Sequence, residues 1–368
     1  MRTPTMSPRA RVLFMPLVLF VVVGLAFACV VSSALALTNS ERVYEKVSPA
    51  FKGGYGASGI LGVEPDGEGV AFLSKGVFAG EPNDEGHNAY QAFRSGSGWS
   101  TVGLEPPASA APSFGLDGFS SSLGVSLWEL TQGIPNHQPG TEVQFAAHSS
   151  AAPGVAAGFE SIGPVLKSLN GEVLTGSMFV EGFSHDLCHV ASAPVAPLVA
   201  EALETQSQLY DISAGCHGEP PYVRLVALNS AGKLLSRCAE QLGAGTGAGL
   251  NAISGDGSEI FFDDELESNC AQGHGQLFVR TGGVRTLEVS KPLAECVGEE
   301  VPCPAFASRA EATFAGASED GSRVFFTAPL AGGEPPLVPG ADDKSTNLYR
   351  FSSPSGGELT VRERDLNV

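Results

Sequence analysis

Basic residues are scarce in this chain: 21 Lys and Arg stand against 40 Asp and Glu, for a net charge of −19. A surface of that sign repels phosphate backbones, which argues against a nucleic-acid partner, and no polybasic stretch is available to hold an anionic membrane. After the N-terminal segment there is no long run of helical periodicity. The sequence also lacks C-x-x-C, H-E-x-x-H, a Walker lysine and an EF-hand loop, so the common zinc, redox, nucleotide and calcium signatures are missing. Charged residues make up only 17% of the chain and apolar ones 43%, with 21 Phe, a composition that excludes disorder and supplies a core. Glycine (46) and proline (25) are plentiful, so turns are frequent, as in all-β folds.

The longest apolar run lies at the N-terminus. Arg2, Arg9 and Arg11 precede the tract Val12 to Val31, and no acid occurs before residue 37. This is the pattern of an export signal, with Ala34 and Ala36 as the small residues before a cleavage point, which divides the chain into 1–36 and 37–368. An uncleaved membrane anchor is the rival reading, because twenty apolar residues also span a bilayer. Cys29 invites lipoprotein processing, but Phe27 is bulky where such signals have a small residue. With the three arginines removed, the net charge moves from −19 to −22.

Removing Cys29 leaves Cys188, Cys216, Cys238, Cys270, Cys296 and Cys303. An even number in an exported chain predicts disulfides, and spacing does not choose the pairing. Cys296 with Cys303, in "CVGEEVPC", is the one short loop that closes easily.

One phrase is written twice: "AISGDGSEIFFDDEL" from residue 252 and "GASEDGSRVFFTAPL" from residue 316. The shared template S-x-D-G-S-x-V/I-F-F sets Asp256 and Gly257 against Asp320 and Gly321. Upstream, "FSHDLCHVAS" supplies Asp186 with Leu187 in place of Gly. "VEPDGEGVAF" supplies Asp66 and Gly67, and "FGLDGFSSSLGVSLW" keeps Asp117 and Gly118 before it blurs. Asp-Gly is a tight-turn dipeptide, since Gly accepts positive φ and Asp bonds the backbone two residues on. The Val-Phe-Phe run that follows reads as a strand covered on both faces. Two further strand-like pieces complete each unit, for example "QLFVR" and "GVRTLEVS". The units start near 60, 115, 182, 252 and 316, and each predicts a small antiparallel sheet. Sheets too small to bury their own faces gain stability by stacking radially, which predicts an all-β propeller of about five visible blades, irregular or incomplete, behind the N-terminal signal or anchor helix. Either the ring closes after the fifth unit, with the 40 to 48 segment completing the last blade, or further blades are missing.

These phrases resemble the TolB-type, WD-like β-propeller repeats of exported bacterial proteins. The opening "RVYEKVSPAFKGG" with "GVAFLSKGVFAG" and "GWSTVGL" is similar to one exported group built on them. The resemblance runs over most of residues 40 to 368, and its motifs are structural, so it implies fold far more than activity. A TolB-like role in envelope transport would be an analogy only.

Several clusters invite chemistry. His185, Cys188–His189 and Cys216–His217 would suit zinc or a nucleophilic pair, but Cys188 and His189 fall on ordinary template positions, so disulfide and incidental histidine are favoured. "GAGTGAG" from Gly243 lacks nucleotide-binding spacing and reads as an inter-blade linker. Asp263, Asp264, Glu265 and Glu267 are the calcium candidates, set against a solvated acidic loop, as are Asp84 with Glu85 and Asp342 with Asp343. No cofactor is otherwise predicted. The expected protein is a secreted or extracytoplasmic, non-enzymatic binding or scaffold protein for a protein or glycan partner, with no membrane contact beyond the N-terminal anchor. The alternative is a carbohydrate-active hydrolase with a carboxylate or metal site in the propeller channel.

Overall fold

A computed structural model describes residues 44–79, 88–105, 114–130, 144–149, 159–162, 169, 180–194, 196–203, 207–213, 215, 218–236, 238, 240–243, 250–264, 275–290, 312–329, 337 and 346–352. The N-terminal signal or anchor lies outside them. Contacts divide the chain into Met1–Val47 and Ser48–Val368, and every sheet belongs to the second unit. Among the described residues no helix is long and apolar enough to cross a membrane.

Five antiparallel sheets follow one another along the chain. The first holds β1 (Ala57–Val63), β2 (Gly69–Ser74), β3 (Asn88–Ser95) and β4 (Gly98–Gly103), and the second β5 (Phe114–Phe119), β6 (Val125–Leu130), β7 (Gln144–Ser149) and β8 (Phe159–Ile162). The third holds β9 (Val180–Phe183), β10 (His189–Ser192), β11 (Tyr210–Ser213) and β12 (Tyr222–Leu225). The fourth has β13 (Gln241–Leu242), β14 (Glu259–Asp264), β15 (Gln276–Thr281) and β16 (Arg285–Glu288), and the fifth β17 (Thr313–Ala317), β18 (Arg323–Pro329) and β19 (Thr346–Ser352). Each sheet is a simple meander, in which consecutive strands are neighbours.

The Asp-Gly turn sits between the first and second strands of a sheet, so each unit has a strand before the phrase that the sequence pattern does not show. That strand is irregular, which hides it from a search for periodicity. In four sheets it carries β-bulges, with Gly59 and Leu61 in the first and Asp117, Glu181 and Ala315 in the second, third and fifth as extra residues.

All five turns have the same hydrogen bonding. In the fourth, Ser254 N–H and the Glu259 carbonyl close the hairpin at 2.9 Å, and Gly257 N–H donates to the Ser254 carbonyl at 2.9 Å. The corresponding bonds recur from Glu64 to Gly69, Ser120 to Val125, Ser184 to His189 and Ser318 to Arg323. The fourth residue of each turn is left-handed: Gly67 (φ 77), Leu123 (51), Leu187 (58), Gly257 (73) and Gly321 (67). The second copy is therefore "SSSLGV", and Asp117-Gly118 belongs to β5. Local Asp-Gly chemistry points to the wrong register there, because Leu123 does the work of glycine.

The sheets stack face to face in chain order. Leu73, Val102 and Leu104 of the first sheet and its exit meet Trp128 and Phe119 of the second. Leu127 joins the cluster around Val190 and Tyr210 of the third, and a larger core runs from Ala191 through Phe261 and Phe262 to Phe314 and Phe326. A glycine two residues before the turn permits this approach: a Cβ on Gly118 would lie 2.0 Å from the Phe183 ring, and one on Gly182 would lie 2.5 Å from Leu242. β9 and β13, the first strands of the third and fourth sheets, are in contact, and a parallel bridge joins Leu250, ahead of the fourth turn, to Gly316 of β17. Radial stacking of meanders by their first strands is the β-propeller arrangement, and this chain is an all-β protein of that class.

The expected two-sided burial holds for β14 and β15, which lie between the third and fifth sheets. It fails for β18, where Val324 and Phe326 are buried but Phe325 is 43% exposed. Of the "GAGTGAG" segment, read as an inter-blade linker, only Gly243 is described, and residues 244–249 lie outside the described residues. Gly243 N–H donates to the Phe261 carbonyl and Phe261 N–H to the Ala252 carbonyl, both at 2.8 Å, so the chain leaves and rejoins the same edge of the fourth sheet.

Candidate functional site

The second to fifth turns form one continuous surface because each is tied to the next through the backbone. Ser121 N–H donates to the His185 carbonyl (3.2 Å), His185 N–H to Gly255 (3.1 Å) and Gly255 N–H to Glu319 (2.7 Å). Over the third to fifth turns lies an open depression of 730 Å³, lined by Asp186, Gly255, Asp256, Ser318, Glu319, Asp320, Ser322 and Arg323. The repeat residues Asp186, Asp256 and Asp320 thus come together, while Asp66 belongs to the first turn, away from this lining.

The turn chemistry fixes the charge of this surface. Asp320 Oδ1 accepts from the Ser318 hydroxyl (2.6 Å), the Ser322 N–H (3.1 Å) and the Ser322 hydroxyl (2.9 Å). The Ser318 hydroxyl first, then the two Ser322 donors, hold its carboxyl down at about 2. Asp256 has the same three partners. Burial pushes its carboxyl up, but the Ser258 N–H, the Ser258 hydroxyl and the Ser254 hydroxyl together bring it below the usual range. His185 spans the surface, 3.3 Å from Glu319 Oε1 and 3.1 Å from Asn251 Oδ1. The result is an anionic, hydroxyl-rich depression with Arg323 as the cation in its lining.

The other sequence candidates take structural places. His189 Nδ1 lies 3.0 Å from Asp211 Oδ1, and Asp211 Oδ2 accepts from Tyr222 OH (3.2 Å) and from Arg224 Nε (3.0 Å) and Nη2 (2.8 Å). Asp211 is 1% exposed, so this is a buried charge with its partners in place. Cys188 and Cys238 are buried and disulfide-bonded. Cys216, His217, Cys270, Cys296 and Cys303 lie outside the described residues, as do Asp84, Glu85, Glu265, Glu267, Asp342 and Asp343. Asp263 and Asp264 sit on successive positions of β14 and so on opposite faces. Asp263 Oδ1 accepts from Gln241 N–H at 2.9 Å, and Asp264 Oδ1 accepts from the Ser236 hydroxyl. Among the described residues no group of three or more His, Cys, Asp or Glu is placed to hold a metal.

Sequence reasoning missed two acids at the bulges. Burial, then the Glu129 charge, pushes the Asp117 carboxyl up to about 7, and its Oδ2 is buried without a hydrogen-bond partner. Glu181 holds the same bulge position in the third sheet. Burial pushes it up, and the Leu242 N–H that it accepts across the sheet interface lowers it. The signal was present as the matched phrases "DGFS" at 117 and "EGFS" at 181.

No family model matches the chain, and no curated protein matches it either. Among solved structures, it is similar to the β-propeller domain of the Trilobed protease from Pyrococcus furiosus, described as having an open velcro topology. The likeness has a TM-score of 0.36 and 14% identity, and covers 84% of this chain and 69% of that one. The propeller assignment rests on the sheet order, the stacked faces and the linked turns described above.

Proposed function

We propose that this protein is an exported, non-enzymatic binding or scaffold protein that engages a protein or glycan partner through its turn surface, with repeats of the TolB type. The observation that carries the reading is the anionic depression over the third to fifth turns, where the Asp256 and Asp320 carboxyls are held below the usual range by their own turns. Fixed carboxylates beside serine hydroxyls suit the ammonium and guanidinium groups of a protein segment or the hydroxyls of a glycan. The N-terminal tract and the bonded Cys188 and Cys238 support export. A calcium ion at Asp263 to Glu267 forms no part of this reading.

The test is a screen of the full chain against cationic peptide and glycan arrays, repeated with Glu319→Gln and Ser322→Ala. Binding to one class that weakens in both variants is expected. Silence on both arrays, or binding indifferent to both changes, overturns the proposal. The hydrolase reading is favoured by one observation, an Asp117 carboxyl pushed up to about 7 on the first strand of its sheet, as a general acid needs. It predicts glycoside hydrolysis that Asp117→Asn abolishes.

A further inference from the structure

Three of the four internal sheet interfaces share one backbone link between turns, the last two of them share a side-chain cover as well, and the two halves of this geometry are left open at opposite ends of the stack. In each linked pair, the second turn residue of one sheet donates its N–H to the same position of the next, ending at Glu319. The Glu319 N–H has no partner among the described residues, and by the repeat it points away from the fourth sheet. The sixth turn residue of one sheet also covers the left-handed fourth residue of the next: His189 lies against Gly257 and Glu259 against Gly321, where an added Cβ would meet them at 2.1 and 2.7 Å. Gly257 and Gly321 are accordingly buried. Gly67 is the exposed member of the series, with nothing within 4 Å of its Cβ direction. Arg323 is the exposed sixth residue at the far end, so the last turn has a side chain without a slot and the first turn has a slot without a side chain.

The surrounding residues match in the same sense. The free face of the fifth sheet shows Arg323, Phe325 at 43% and Leu348 at 62% exposure. The first sheet shows Ile60 and Val63, at 67% and 59%, and Val63 stands where Phe183 meets the preceding sheet in the third unit. Gly67 is flanked by Asp66 and Glu68, and Glu68 also holds Arg94 at 3.2 Å. We propose that a second copy of this chain seats its first sheet on the free face of the fifth, continuing the internal interface: Arg323 of one copy lies on Gly67 of the next between Asp66 and Glu68, and Glu319 N–H donates to the Pro65 carbonyl. Such a contact is heterologous, so it propagates head to tail. It does not depend on the turn surface having a ligand.

Sedimentation velocity on the full chain, in a mild detergent that keeps the Val12 to Val31 tract dispersed, tests this. Wild type is expected to grow in mass over about a hundredfold range of concentration. Phe325→Asp and Val63→Asp, both at exposed sites that tolerate a charge in the fold, should each be monomeric. Their equimolar mixture should form a dimer and stop, because it contains one intact head and one intact tail. Arg323→Glu should weaken association by about tenfold or more. A monomeric wild type whose melting temperature falls with Phe325→Asp would mean that the face is covered within the chain and overturns the proposal. A wild type that stays monomeric without that fall, or a mixture that stays monomeric, also overturns it.

Discussion

Leu187 and Leu123 hold a left-handed conformation that costs a side chain roughly 1–2 kcal/mol. Both are nearly inaccessible, at 2% and 3% exposure, and burying a leucine returns about 2–3 kcal/mol, so the side chain more than offsets its strain. Leu187→Gly should therefore destabilise by about 1–2 kcal/mol in denaturant melts, although glycine is the template residue at that position. A gain in stability would show that strain dominates. Asp117 tests the opposite kind of conflict. Its carboxyl is raised from 3.8 to about 7, so the folded state favours the protonated form. The stability this brings is complete below about pH 4 and is lost as pH rises through about 7. Asp117→Asn should remove that slope and raise stability at pH 8 by on the order of 1–3 kcal/mol. Thermal melts from pH 4 to 8 check this, and parallel wild-type and variant curves would contradict it.

At the scale of the strand, the residue two positions before each turn, glycine in four sheets and Ala252 in the fourth, controls how closely sheets approach. Gly118→Ala should cost about 1–3 kcal/mol, because its Cβ would lie within the Phe183 ring contact. The same change in a Phe183→Ala background should cost clearly less, and a double-mutant cycle measures the difference. Additive costs would mean that the glycine serves its own strand and not the interface. The sequence made the hairpin legible, because an Asp-Gly turn followed by Val-Phe-Phe has one physical meaning. It left the preceding strand and its glycine unread, since a bulge removes the alternation that marks a strand. In the second unit, Asp117-Gly118 imitates a turn while the real one uses Leu123, whose fitness depends on burial that only the assembled sheets provide. The turn aspartates were also legible, but their convergence on one depression was not, because it follows from the backbone bonds that link successive turns.

Across the whole stack, burial is unequal in a way that fixes where the molecule opens first. The fourth sheet is covered on both faces, and β14 and β15 are buried at nearly every position. Among the described residues the first and fifth sheets each have one neighbouring sheet, and β1 is almost wholly exposed while β19 alternates between buried and exposed. A strand covered on both sides opens only with its neighbours, whereas a terminal strand opens alone, so hydrogen exchange at low protein concentration should be slowest in β14 and β15 and fastest in β1 and β19. Raising the concentration then separates two causes of that gradient. If the terminal faces meet in a head-to-tail contact, protection should increase at the Gly67 turn and over β18 and β19, while β14 and β15 stay as they were. A rise at one end only would contradict the pairing of those two faces, and a gradient that puts β1 level with β15 would contradict the open stack itself.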